Sequence, residues 1–330
     1  MSSKKMIQEK AGDWLSGNRR DFVRRAGAIG LAGAASWLVC ESNNATSAAQ
    51  PSQSEKTSVL PTITIAGKAV TRLVAGGNPT TGSSQPSPHV AQHMNEYFTS
   101  ERIADYLIRC EQVGINTFQH SAADKVREGI RLARERGSRI QWICLTSGGG
   151  SEPPLEKILE IKPIAIAHHG GVTDRLFRDG KQDAIGDFIK KIHDKGVPAG
   201  VSSHKPENIR AVEEKNWGND FFMTCFYNVV RSKEEMKRQF GAVPVDSLSF
   251  WADDPDAMTA VVRQSRKPCL GFKILAAGRL CSSPATVEQA FRYAFEHIKP
   301  TDGVIVGMYP RFSDEPAQNA ALARKHGRPA

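Results

Sequence analysis

Eight short apolar runs, each followed by a segment with helical spacing, constrain the fold of this chain more than any other feature of its sequence. The runs, in chain order, are RLVAGGN, INTFQHS, IQWICLTS, IAIAHHGG, PAGVSSH, FFMTCFYN, PCLGFKILAAG and GVIVGMY. Continuous apolar runs are typical of parallel strands that are covered on both faces. Eight such βα units predict a closed (β/α)8 TIM barrel. An open doubly wound sheet is the alternative, disfavoured because no GxGxxG follows the first strand.

The N-terminal stretch NRRDFVRRAGAIGLAGAASWLV precedes the first of these units. Arg19 and Arg20 form a pair, and a small-residue apolar run follows over residues 26–39. The order of these features resembles a twin-arginine export signal, which implies the twin-arginine export machinery as a partner. The run is too short and too glycine-rich to be a stable membrane span. We therefore predict an exported, periplasmic location, with no membrane span left after cleavage.

These features divide the chain into three parts. Residues 1–49 are predicted to be the signal peptide, residues 50–60 a polar linker, and residues 61–330 the barrel. Cys40 follows Leu38-Val39, so its lipidation is left open.

Charge and cysteine content exclude two classes of function. The formal net charge is +9, but there is no Lys/Arg block interleaved with aromatic residues, so no nucleic-acid partner is expected. The five cysteines beyond Cys40 form no CxxC pair, which predicts neither a zinc ribbon nor a disulfide framework.

Polar residues at the ends of the predicted strands are the candidate catalytic groups. Gln119, His120, His168 and Lys273 each follow an apolar run. In a TIM barrel the carboxyl ends of the strands surround one site, so these side chains are expected to share a pocket that binds a small-molecule substrate. Lys273 could supply a cation there or form a Schiff base with a carbonyl compound.

Several of these segments together resemble the aldo/keto reductase superfamily over roughly residues 62–325. The matching pieces, in order, are GINTFQHS, PIAIAHHGG, KGVPAGVSSHKPENIRAV, FFMTCFYN, GFKILAAGRL and GVIVGMYPRFSDEPAQN. The resemblance implies carbonyl reduction with NADPH. It also implies a tyrosine proton donor tuned by a lysine and an aspartate, with a histidine that orients the substrate oxygen.

The chain departs from that catalytic set. Gln119 occupies the aspartate position, no tyrosine follows it, and Thr146-Ser147 replaces the lysine. Only the histidine is retained, as His168. A phenol with a pKa near 10 is a poor acid without a neighbouring cation, and here both are missing from their usual places.

The positions that the family uses to hold the nicotinamide are better retained. By resemblance, Phe272 falls where an aromatic ring stacks on the nicotinamide. Ser202 and Ser203 fall where the carboxamide is held. The resemblance therefore implies NADP as the cofactor.

The adenosine end of the cofactor has matching positions after the eighth strand. By the same resemblance, Arg311 falls where a cation meets the 2′-phosphate, and Glu315 and Asn319 keep the spacing of the adenine contacts. A phosphate group there would also lie near a helix N-terminus.

The sequence therefore predicts an exported NADP-dependent oxidoreductase that acts on a small carbonyl or sugar-like substrate with a non-standard proton donor. Tyr97, in the long first loop, is one substitute donor. The alternatives are a catalytically inactive binding barrel and a non-redox lyase, isomerase or hydrolase that uses the histidines. His89 and His93, one helical turn apart, could hold a metal together with His120 and His168, although no metal is predicted.

Overall fold

The structure is a computed structural model that describes residues 60–83, 87–148, 153–244 and 248–328. The predicted signal peptide, and the predicted linker up to residue 59, lie outside these described residues. Within the described ranges, no helix is both long enough and apolar enough to cross a membrane.

Eight parallel strands close into a barrel, which confirms the predicted (β/α)8 fold. In chain order they are β3 (Leu73–Gly76), β4 (Thr117–Ser121), β5 (Gln141–Leu145), β6 (Ala165–His168), β7 (Ala199–Ser203), β8 (Phe221–Cys225), β9 (Cys269–Phe272) and β10 (Gly303–Gly307). The ring closes where β10 pairs with β3, with Ile305 opposite Val74. The carboxyl ends of all eight strands therefore surround one opening.

Helices follow the strands and cover the outside of the barrel. They are α1 (Pro88–Tyr97), α2 (Ser100–Gln112), α3 (Asp124–Glu135), α4 (Leu155–Glu160), α5 (Gly170–Arg178), α6 (Ala184–His193), α7 (Pro206–Lys215), α8 (Lys233–Phe240), α9 (Asp254–Gln264), α10 (Pro284–His297) and α11 (Glu315–His326). Three of the connections, after β3, after β6 and after β8, each contain two helices. In the connection after β6, α5 brings residues to the barrel opening.

A short hairpin precedes the barrel. Strands β1 (Thr62–Ile65) and β2 (Lys68–Thr71) pair antiparallel across a turn at Ala66-Gly67. Ile63, Ile65 and Val70 pack against the barrel interior, in the same cluster as Val74 and Ile305. This hairpin was not predicted from the sequence, and it contributes apolar side chains to the barrel interior.

The core has an inner and an outer layer because side chains alternate along each strand. Ile143, Ala167, Met223 and Leu270 belong to the inner cluster. The residues between them pack outward against the helices. Gly200 leaves room for a large neighbour, since a Cβ there would lie 2.3 Å from the Phe221 ring. The interior is therefore a packed core, with the candidate catalytic groups at its carboxyl end.

Candidate active site at the barrel mouth

Strand alternation determines which polar side chains reach the mouth of the barrel. Phe118 and Val201 belong to the outer core, so Gln119 and Ser202, the next residue on each strand, lie on the inward side. Phe272 packs against the inner cluster at the end of β9. These three sequence-predicted residues therefore face one opening, from three different strands.

A buried Asp174–His204 pair lies at this opening. The Asp174 carboxylate, on α5, is 2.7 Å from Nδ1 of His204, which follows β7. Asn208 Nδ2 also donates to it at 3.0 Å, and the Ser203 hydroxyl donates at 2.5 Å. Ser203 is thus turned toward Asp174 and away from the inward face that its neighbour Ser202 occupies.

The geometry fixes what the His204 ring can do. A carboxylate only accepts hydrogen bonds, so Nδ1 of His204 carries a hydrogen and Nε2 is the exchangeable position. No described residue makes a hydrogen bond to this Nε2 atom. The ring stands edge-on to Phe272, with 5.6 Å between centroids. His204 can therefore take up or release a proton at the barrel mouth.

His169 provides a second imidazole with a different role. Its Nδ1 accepts the N–H of Gly171 at 3.1 Å, because His169 caps the N-terminus of α5. Burial lowers the pKa of His169 to about 4, and the positive charges of His204, Arg175 and Lys273 contribute. The neutral ring therefore carries its hydrogen on Nε2, which makes it a fixed hydrogen-bond donor.

The predicted site residue His168 points elsewhere. Its Nδ1 is 2.8 Å from the Thr173 hydroxyl, and its ring packs edge-on against Phe188 of α6 at 4.9 Å. Burial, with the charge of His169, lowers the pKa of His168 to about 4. His168 lies on the outward side of β6, as Ile166 does, and the adjacent His169 lines a cavity at the mouth.

That cavity has a volume of about 340 Å³ and lies on the side of β4 and β5. Gln119, Thr146 and His169 are among its lining residues. The Gln119 amide makes no hydrogen bond with the part of the chain that the structure describes. The Thr146 hydroxyl accepts the His169 N–H at 2.9 Å, which anchors the start of the His169 loop. The cavity thus offers an unpaired amide and a neutral N–H donor to a small polar molecule.

His120 also lines this cavity, but both of its ring nitrogens are engaged. Nδ1 accepts the Ser121 N–H at 2.6 Å, and Nε2 lies 3.0 Å from the Thr81 hydroxyl. Burial and the charge of Lys125 lower the pKa of His120 to about 4, so Nε2–H donates to Thr81. The ring packs against Gly77, where a Cβ would lie 2.2 Å from it. His120 therefore tethers the first loop.

Lys273 follows β9 directly and has a left-handed backbone with a φ of 60°. Its ammonium group is 6.0 Å from the centroid of the Phe272 ring. Among the described residues it makes no hydrogen bond and no ion pair. Burial lowers the pKa of Lys273, and the charge of Arg279 adds to this effect. The amine, the Phe272 ring and His204 thus lie at the same end of the barrel.

The residues predicted for the adenosine end lie after β10 and at the start of α11. Glu315 accepts the Tyr309 N–H at 2.7 Å, and burial raises the pKa of Glu315. Arg311 is exposed, with its guanidinium 5.3 Å from the Tyr97 ring centroid. Asn319 is buried on α11, one turn after Glu315. Glu315 is therefore already bound to the backbone of its own chain.

A second cavity of about 470 Å³ is lined in part by His204. His204 and Cys225 line its inner end, and Arg231 and Asp254 form a buried bidentate ion pair in its wall. His204 lines this second cavity, and His169 lines the first.

The histidines considered as metal ligands are not gathered together. His93 Nδ1 is 3.0 Å from the Tyr309 hydroxyl, while His120 and His168 have the separate partners given above. Over the described ranges, no group of three or more His, Cys, Asp or Glu side chains could hold a metal ion.

Three residues of this site, Asp174, His169 and His204, are not among the candidate catalytic residues predicted from the sequence. Asp174 lies within a helix, where a lone carboxylate resembles any solvated residue. His169 was present in the quoted IAIAHHGG run, yet the family resemblance pointed to its neighbour. The structure separates the two, because it places Ala165 and Ala167 on the inward side of the strand and His168 on the outward side.

No family model matches the chain, and no curated protein matches it in sequence. Solved structures that are similar to it include Gox0644 in its apo form, with 11% identity, a TM-score of 0.49, and coverage of 80% of this chain and 88% of that one. An aldo/keto reductase from Brucella melitensis matches with 12% identity, a TM-score of 0.45, and coverage of 81% and 92%. QR15, an aldolase, matches with 12% identity, a TM-score of 0.40, and coverage of 76% and 91%. At these identities and TM-scores, the chemistry of the site has to be inferred from the residues themselves.

Proposed function

We propose that this chain is an exported, aldo/keto-reductase-like enzyme that reduces a small polar carbonyl compound with NADPH. The observation that carries the proposal is the pairing, at one barrel mouth, of a neutral N–H donor on His169 with the proton-transferring Asp174–His204 pair. Carbonyl reduction needs both functions, because the oxygen must be polarised and then protonated.

The residues at the mouth fit the nicotinamide end of the cofactor. Phe272 presents an aromatic ring at the rim, and the Ser202 hydroxyl makes no hydrogen bond with any residue that the structure describes. The two are linked through His204, whose ring contacts Phe272 and lies beside Gly170, as the Ser202 hydroxyl does. A ring surface with a free hydroxyl near it suits a planar amide-bearing ring. When bound there, the dinucleotide would supply hydride to the carbonyl carbon.

The chain's own residues supply the remaining steps. The Nε2–H of His169 donates to the carbonyl oxygen and stabilises the negative charge that develops on it. His204, protonated at Nε2, gives its proton to that oxygen. Asp174 holds the ring in one orientation through its hydrogen bond to Nδ1. His169 and His204 together thus take the place of the tyrosine proton donor, which the residues around Gln119 do not provide.

The proposed location follows from the twin-arginine pattern at residues 19–39. That route exports folded proteins, so the cofactor would be bound before export. Mass spectrometry of the native protein recovered from the periplasm tests this, because a bound nucleotide is expected in it.

Enzyme assays test the chemistry. The full chain is mixed with NADPH and a panel of small aldehydes, ketones and aldoses, and loss of absorbance of the reduced cofactor is followed. We expect His204→Asn and Asp174→Asn to lower kcat about 10²–10⁴-fold, and His169→Phe to lower kcat/KM by about 10²-fold.

Two controls make the result interpretable. Each variant is checked for thermal unfolding, because Asp174 accepts several buried hydrogen bonds. His89→Asn, at an exposed residue of α1, controls for the loss of an imidazole far from the mouth. The proposal fails if the native protein carries no nucleotide, NADPH causes no thermal shift, and no carbonyl compound is reduced.

A further inference from the structure

Lys273 lies at the mouth and has no role in the proposed hydride transfer. Its left-handed φ of 60° costs about 1–2 kcal/mol in a residue with a Cβ. Ala276 and Ala277 have φ values of 47° and 51°, so the whole turn after β9 is unusual. Such backbone strain is retained mainly where a side chain has to be held in a particular place.

The surroundings of the amine favour its neutral, nucleophilic form. No carboxylate among the described residues pairs with it. The nearest ionisable groups include Cys225, whose thiol stays neutral because burial raises its pKa to about 12. Arg279 and His169 are bases and offer the ammonium group no negative charge. A half-buried lysine in such a setting attacks carbonyl carbons more readily than an exposed, ion-paired one.

A proton-transfer group lies beside the same aromatic ring as this amine. The His204 ring centroid is 5.6 Å from that of Phe272, and the Lys273 Nζ atom is 6.0 Å from the Phe272 centroid. Formation of an imine needs such a group, because the carbinolamine hydroxyl leaves as water only after it has been protonated.

We infer that Lys273 captures a small aldehyde or ketone as an imine at the barrel mouth. The inference rests on the carbonyl substrate class of the proposed function, but it requires no nucleotide. Lys273 Nζ attacks the carbonyl carbon, a C–N bond forms, and a proton moves from nitrogen to oxygen. His204 then protonates that oxygen, the C–O bond breaks, and water leaves. One amine and one carbonyl compound thus give one imine and one water.

The imine would acidify the adjacent C–H bond, since the protonated nitrogen accepts the electron pair that is left on carbon. The chain would then catalyse exchange of α-hydrogens with solvent. This is the chemistry on which a non-redox lyase or isomerase depends.

Reductive trapping tests the inference. The full chain is incubated with glycolaldehyde, and separately with pyruvate, in the presence of sodium cyanoborohydride, and modified peptides are mapped by mass spectrometry. We expect Lys273 to be modified at least 10-fold faster than Lys190, which is 76% exposed and paired with Asp194. We also expect Lys273→Arg to abolish this fast adduct and the exchange of α-deuterium into solvent.

The mapping on the wild-type chain needs no variant, so a folding defect cannot obscure it. The inference is overturned if adducts form on Lys190 as fast as on Lys273, or if Lys273→Arg leaves the fast adduct unchanged. NADPH oxidation without trapping at Lys273 would refute this inference alone. Trapping without NADPH oxidation would refute only the proposed hydride transfer.

Discussion

Three neutral histidines, two of them buried and one half-buried, predict that this barrel loses stability in acid over a specific pH window. Burial lowers the pKa values of His120, His168 and His169 to about 4, from an ordinary value of 6.5. The unfolded chain therefore binds more protons than the folded chain between pH 4 and 6.5. Above pH 6.5 these histidines are neutral in both states and do not lower the free energy of unfolding. As the pH falls from 6.5 toward 4, protonation of the unfolded chain lowers that free energy.

The size of the effect follows from proton linkage. For His168 alone, a folded pKa of about 4 and an unfolded pKa of 6.5 give a loss of about 2 kcal/mol between pH 8 and pH 5. Three independent histidines would give at most about 6 kcal/mol, which is comparable with the whole stability of many domains.

Urea unfolding at pH 8 and pH 5 measures this loss for the wild type and for His168→Asn. Asparagine can still donate to Thr173 Oγ1, which accepts from His168 Nδ1 at 2.8 Å, but it does not titrate. We expect the variant to lose about 2 kcal/mol less than the wild type over this interval. His89→Asn, at an exposed position, is the control, and it should lose as much stability between pH 8 and pH 5 as the wild type does. Equal losses in the wild type and in His168→Asn would refute the argument.

Three further substitutions test other parts of the structure. Gly170→Ala places a Cβ 3.1 Å from His204 Cε1, so we expect at least a 10-fold loss of carbonyl reduction. Gly171→Ala, in the same helical turn, meets only ordinary contacts at 3.4 Å and should have a much smaller effect on the same assay. Lys273→Gly should be about 1 kcal/mol more stable than Lys273→Ala by urea unfolding, because glycine adopts the φ of 60° without a Cβ clash. Arg72→Met should cost about 3–5 kcal/mol in the same measurement, because it leaves three backbone carbonyl oxygens at the base of the barrel without their donor; a loss below 1 kcal/mol would contradict that reading.

The architecture was available from the sequence because burial on both faces leaves a local signature. Each parallel strand of a barrel has to be apolar along its whole length, and each helix has to be apolar on one side. The eight runs satisfy this without any knowledge of their partners. The positions of Gln119, His120 and Lys273 at strand ends follow from the same pattern, since polar residues mark where each buried run stops.

The direction in which a side chain points at a strand end was decided only by the tertiary structure. A shift of one residue exchanges the inward and outward faces, so His168 and His169 could not be told apart by their place in the run. His168 packs outward on Phe188, while His169 leaves the strand, caps α5 and reaches the cavity.

Asp174 is a second residue whose role could not be predicted from the local sequence. It meets His204 across 30 residues because α5 packs beside β7, and nothing local to either residue specifies that contact. Local patterns record whether a residue is buried, because the hydrophobic effect acts on each residue separately. They do not record its partner, since a hydrogen bond between distant residues depends on how the whole barrel closes.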